Sequence, residues 1–91
     1  MAPEGDPAAR YRELAGALAI LKCRYAFNAD PKEESTIESG LTELRDALVA
    51  LLDSPENVQQ IAAAVGKPAE AFEKARDAIR NKDVKEWKQM S

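Results

Sequence analysis

Apolar residues recur at helical steps along nearly the whole chain. Tyr11, Leu14, Leu18, Leu21 and Tyr25 fall three, four, three and four positions apart, and Ile37, Leu41, Leu44, Leu48 and Leu51 fall four, three, four and three apart. Each set forms one face of a helix with about 3.6 residues per turn, and no window alternates at period two for long enough to make a strand. Residues 7–27 and 31–53 are therefore predicted as two long helices. The intervening Asn28-Ala29-Asp30 is short enough to force them into an antiparallel hairpin. Val58, Ile61, Ala62 and Val65 continue the period in a third helix over 55–65, and Phe72, Ala75 and Ile79 in a fourth that starts at Pro68. Near Asn81 the phase slips. Val84, Trp87 and Met90 form a rotated apolar set, and Asp83-Val84-Lys85-Glu86 offers the start of a short fifth helix.

Proline and glycine punctuate this pattern. Asp6-Pro7, Asp30-Pro31 and Ser54-Pro55 each place a capping side chain before a residue whose fixed φ and missing N–H suit the first helical turn. Ser35-Thr36-Ile37-Glu38 competes as a later start for helix two. Gly66 stands where a left-handed C-terminal cap is expected. The caps at residues 6, 30 and 54 are evenly spaced, but the leucines of the two long segments do not register, so the spacing is no repeat. The expected architecture is all-α: a small four-helix bundle in one domain, residues 1–91, with a tail at 1–6, the hairpin at 7–53 and shorter helices over 55–90.

Helix one is unusual in being apolar on two sides. Gly16, Ile20, Cys23 and Phe27 make a second set that points about 160° away from the leucine seam. Either helix one is central, with helix two on one side and helices three and four on the other, or the second face meets another chain, Gly16 letting a backbone come close. A small domain has little chain with which to cover both faces. Cys23 lies between Lys22 and Arg24, but adjacent helical residues diverge, and a lone cysteine on an apolar set reads as a small packing residue. Tyr11 and Tyr25 read as seam residues whose hydroxyls reach the rim. Trp87 is either a latch closing the fold or, with Lys82, Lys85 and Lys88 around it, an anchor for a partner.

Charge sharpens this picture in one place. The chain of 91 residues carries 13 Lys and Arg against 16 Asp and Glu, a net of −3. The deficit is concentrated over residues 31–57, where Glu33, Glu34, Glu38, Glu43 and Asp46 give helix two an acidic outer side. Much of this lies near the helix N-terminus, where the dipole favours it, and the remainder is a possible surface for a basic partner. With no histidine and one cysteine, imidazole bases, common zinc sites and intramolecular disulfides are excluded. No phosphate loop or metal-ligand spacing occurs either. The expectation is therefore no enzyme and no catalytic, cofactor-binding or metal site. No apolar run approaches the roughly 20 residues a bilayer requires, and the opening residues do not resemble a secretory signal, so a cytoplasmic location without membrane contact is expected.

Residues 58–77, Val58 through Gly66 to Asp77, resemble the helix-turn-helix pattern. Ala62 matches its small position, Val65 the apolar residue before the turn, Gly66 the turn glycine, and Phe72 and Ala75 the buried positions of the second helix. The resemblance implies a DNA-binding regulator whose second helix enters the major groove. Its exposed positions, Lys67, Ala69, Glu70, Glu73, Lys74 and Asp77, hold three acids and two bases, a poor match to phosphate. The sequence thus points first to a small acidic interaction or regulatory module, such as an adaptor, assembly subunit or inhibitor. Its partner would be a protein, a second copy of the chain included, and its first contact set Gly16, Ile20, Cys23 and Phe27, with Trp87 and the acidic side of helix two as the second.

Overall fold

The expected caps form. The computed structural model describes residues 6–89, with side chains described through Trp87; residues 1–5 of the expected tail, Met90 and the side chain of Lys88 lie outside that range. Asp6 accepts the Ala8 N–H at 3.1 Å and opens α1 (Pro7–Phe27), and Asp30 accepts the Lys32 N–H at 2.9 Å and opens α2 (Pro31–Leu52). Helix two thus starts at Pro31, and the competing Ser35 is already inside it. Ser54 caps α3 (Pro55–Val65) by accepting the Asn57 N–H at 3.4 Å. Gly66 ends α3 with φ 76°, a backbone state that L side chains adopt only at a cost.

Two details of the last third differ from expectation or refine it. Pro68 is the N-cap of α4 (Ala69–Arg80), one position before the helix proper. Its φ of −68° is helical, but its ψ of 146° is extended, and its carbonyl accepts the Ala71 N–H. The phase slip at Asn81 is a real break: α4 stops at Arg80, the Lys85 N–H bonds to the Asp83 carboxylate at 3.0 Å, and a short α5 (Glu86–Gln89) follows.

Among the described residues every regular element is a helix, and α1 to α4 pack together. Leu14, Leu18 and Tyr25 from α1 meet Ile37, Leu41, Leu48 and Leu52 from α2, and Val58, Ile61 and Ala62 from α3 complete the same core with Phe72, Val84 and Trp87. Leu21 packs directly onto Gly40 of α2, where a Cβ would stand 2.9 Å from Leu21 Cδ2. α3 and α5 also pack against α1, and Tyr11 meets the edge of Phe72 at a centroid distance of 5.3 Å, bringing α4 to its N-terminal half. No described helix is long and apolar enough to cross a membrane.

Candidate functional site

All these partners lie on the leucine side of α1. Among the described residues its second apolar set stays open: Ile20 is 67% exposed and Phe27 79% exposed, Cys23 is exposed, and none of them approaches within 4 Å of a Cβ built on Gly16. The arrangement in which helix one is enclosed from both sides is therefore not the one found. Reading Cys23 as a packing residue fails for the same reason, because no described residue covers the face it belongs to. Burying an aliphatic or aromatic side chain of this size contributes roughly 1.5–3 kcal/mol. The isolated chain forgoes that twice, at Ile20 and at Phe27.

Charged residues border this face. Arg12 lies on one flank; Glu13 and Arg24 share the other, and all three are exposed. Glu13 is 3.9 Å from Arg10, with the two side chains 73% and 51% exposed, so the pair leaves both groups largely in water. These flanking residues escape a reading of charge by segment, since residues 1–30 balance four against four. Their signal is positional: on a helical wheel they fall beside Ile20 and Phe27.

The other sequence-nominated residues are placed differently. Trp87 is only 6% exposed and packs with Val84 in the core, while the Lys22 ammonium stands 5.0 Å from its ring centroid. It closes the fold over α1 and offers no ring face at the surface. Tyr25 does not reach the rim: it is 1% exposed, and its hydroxyl donates to Glu38 Oε2 at 2.6 Å. Burial, then the hydrogen bond to Glu38 and the negative charges of Glu38, Glu34 and Asp83, raise its pKa far above the ordinary tyrosine value. Glu38 is thereby half-buried and engaged inward, which removes it from the acidic outer side that sequence assigned to α2. Glu33, Glu43 and Asp46 remain exposed.

A cleft of about 530 Å³ lies between α2 and the turn that follows α4, lined among others by Glu38, Thr42, Arg45, Lys82 and Asp83. Its Arg45 is already engaged, donating to the Lys82 carbonyl at 3.1 Å and pairing with Asp46 at 3.2 Å. Among the described residues no group of His, Cys, Asp and Glu has the geometry to hold a metal ion. The turn between α3 and α4 forms where the helix-turn-helix resemblance places it, with Val58, Ile61, Ala62 and Phe72 buried. Val65, expected to pack before the turn, is instead 38% exposed, and Lys74 pairs with Glu70 at 3.4 Å on the outer side. Compared with protein-family models, curated proteins and solved structures, the chain has no match in any of the three.

Proposed function

We propose that this chain is a small acidic interaction module, non-enzymatic, which binds a protein through the open face of α1 and acts as an adaptor, assembly subunit or inhibitor. Its scaffold on this reading is a four-helix bundle in which α1 and α2 form a long antiparallel hairpin and the shorter helices brace one side. The observation that carries the proposal is the exposure of Ile20 and Phe27, two turns apart on one helix whose opposite face packs into the core through Leu14, Leu18 and Tyr25. A partner covering both would recover several kcal/mol of the burial that the isolated chain forgoes, roughly 1.5–3 kcal/mol per side chain. Gly16 leaves room beside them for a close-packed element.

The test compares the wild type with Ile20→Glu/Phe27→Glu as immobilised baits in host extract, followed by direct titration of any purified partner. The double variant should keep wild-type helicity and melting temperature, since both positions are exposed, yet lose the partner. Retention of the same partner by the double variant, or loss of its fold, would refute the proposal.

A DNA-binding role through α3 and α4 is the second reading, favoured by the glycine-closed turn between them. Against it stands the acidic outer side of α4, where Glu70, Glu73 and Asp77 are exposed. Retardation of duplex DNA at low salt, weakening as salt rises, would support it.

A further inference from the structure

The open face of α1 is graded along its length. Small residues, Ala9 and Gly16, occupy its N-terminal half, and the large Ile20 and Phe27 its C-terminal half; an acid, Glu13, borders the first half and a base, Arg24, borders the second on the same flank. At about 100° per residue Glu13 and Arg24 lie within about 20° of each other around the helix. The midpoints of Ala9 with Phe27, Gly16 with Ile20, and Glu13 with Arg24 all fall at Leu18 or between it and Ala19. A face whose halves are complementary about one point matches an identical face turned end for end.

Resting on the reading of this face as an interaction surface, we infer that its occupant is a second copy of the chain, the two α1 helices packing antiparallel about a two-fold axis near Leu18 and Ala19. With the axis between those two residues, the second copy's Ile20 stands within one residue, about 1.5 Å of rise, of Gly16, and its Phe27 stands equally close to the level of Ala9. Each large side chain thus meets the other copy's small one. Under the same operation Glu13 comes level with the second copy's Arg24, and the symmetry makes the pair twice. Glu13 then lies between Arg10 of its own chain and that second guanidinium. On the other flank Arg12 faces the second copy's Cys23 and Ala26, so no cation opposes it. A parallel pairing loses this match: it sets Phe27 against Phe27, Ile20 against Ile20 and Gly16 against Gly16, large on large and small on small, and turns the flank of Glu13 and Arg24 toward the other flank of the second copy, so the repeated Glu13–Arg24 pair is not made. The two Cys23 side chains are about 13 Å apart along the axis in the antiparallel pair, beyond the reach of a disulfide.

Sedimentation equilibrium at low salt, over roughly 1 µM to 1 mM chain, tests the inference with four samples. The wild type should dimerise within that range. Glu13→Arg and Arg24→Glu should each weaken the dimer about tenfold or more, because each sets like charges together twice, while an equimolar mixture of the two should form a heterodimer near wild-type affinity. Gly16→Leu has open space in the isolated chain, so it should melt at or above the wild-type temperature yet dimerise less, which separates pairing from folding. A wild type monomeric to 1 mM, a mixture no tighter than its components, or a dimer that oxidises readily at Cys23 would each overturn the inference. If the wild type is monomeric while Ile20→Glu/Phe27→Glu still loses a bound protein, the second copy is overturned and the interaction surface stands; if that variant loses nothing in either assay, both fall.

Discussion

The Tyr25 hydroxyl donates a 2.6 Å hydrogen bond to Glu38 Oε2, tying the last turn of α1 to α2 from a position where the ring is 1% exposed. The bond to a charged acceptor stabilises the fold, so Tyr25→Phe should cost about 1–2 kcal/mol in urea denaturation at neutral pH, leaving Glu38 to water. Its dependence on pH has a definite sign. The folded chain holds the Tyr25 proton far above the ordinary value of 10.0, so the contribution is complete below pH 10. Above that, the unfolded chain releases the proton while the folded chain keeps it, and stability falls as pH rises. The wild-type curve should therefore descend more steeply than that of Tyr25→Phe above pH 10. Parallel curves there would contradict the assignment.

Gly66 ends α3 with φ 76°, and a Cβ at that position meets nothing within 4 Å. Any loss on substitution is then conformational. Gly66→Ala should destabilise by about 1–2 kcal/mol, whereas Gly66→Asn, which tolerates the left-handed region better, should recover part of that. Equal stability of all three chains in thermal melts would show that the turn rearranges at no cost.

The helix limits and caps were legible in the sequence because each depends on a few neighbouring residues. Asp6, Asp30 and Ser54 reach N–H groups two or three residues away, and Gly66 needs only its own φ. The leucine seam was legible from its period. The side of α1 left bare was not, since two apolar faces look alike in a wheel, and what covers either depends on where α3 and α5 land after the chain turns at Ser54. Nor could the period show that Glu38, beside the buried Ile37, turns inward to Tyr25. The candidate face itself was readable as Gly16, Ile20, Cys23 and Phe27, but its exposure was a tertiary fact.

Asp53, just after α2, accepts from Arg80 and lies 3.8 Å from Arg76, joining the end of α2 to α4. Its side chain is 51% exposed and Arg80 is 47% exposed, so water and salt compete for the contact. Asp53→Asn should cost at most about 1 kcal/mol. The difference between variant and wild type should shrink in 1 M NaCl, where screening is strong. A loss of several kcal/mol that ignores salt would mean that Asp53 supports the junction by some means other than charge.

Trp87 and Val84 are each 6% exposed and reach the core from beyond the end of α4. Trp87→Ala removes the larger and leaves a cavity under α5, which in comparable sites costs about 3–5 kcal/mol. A domain of this size has only about 5–15 kcal/mol of total stability, so truncation after Asn81, which removes both residues, should leave a chain without a cooperative thermal transition. Lys22→Met isolates the ammonium over the ring: it should cost less than about 1 kcal/mol, because that contact sits at the rim. Calorimetry of the three chains distinguishes the contributions. A truncated chain that melts cooperatively near the wild-type temperature would show that α1 to α4 fold unaided, and would reopen the C-terminal segment as a surface for a partner.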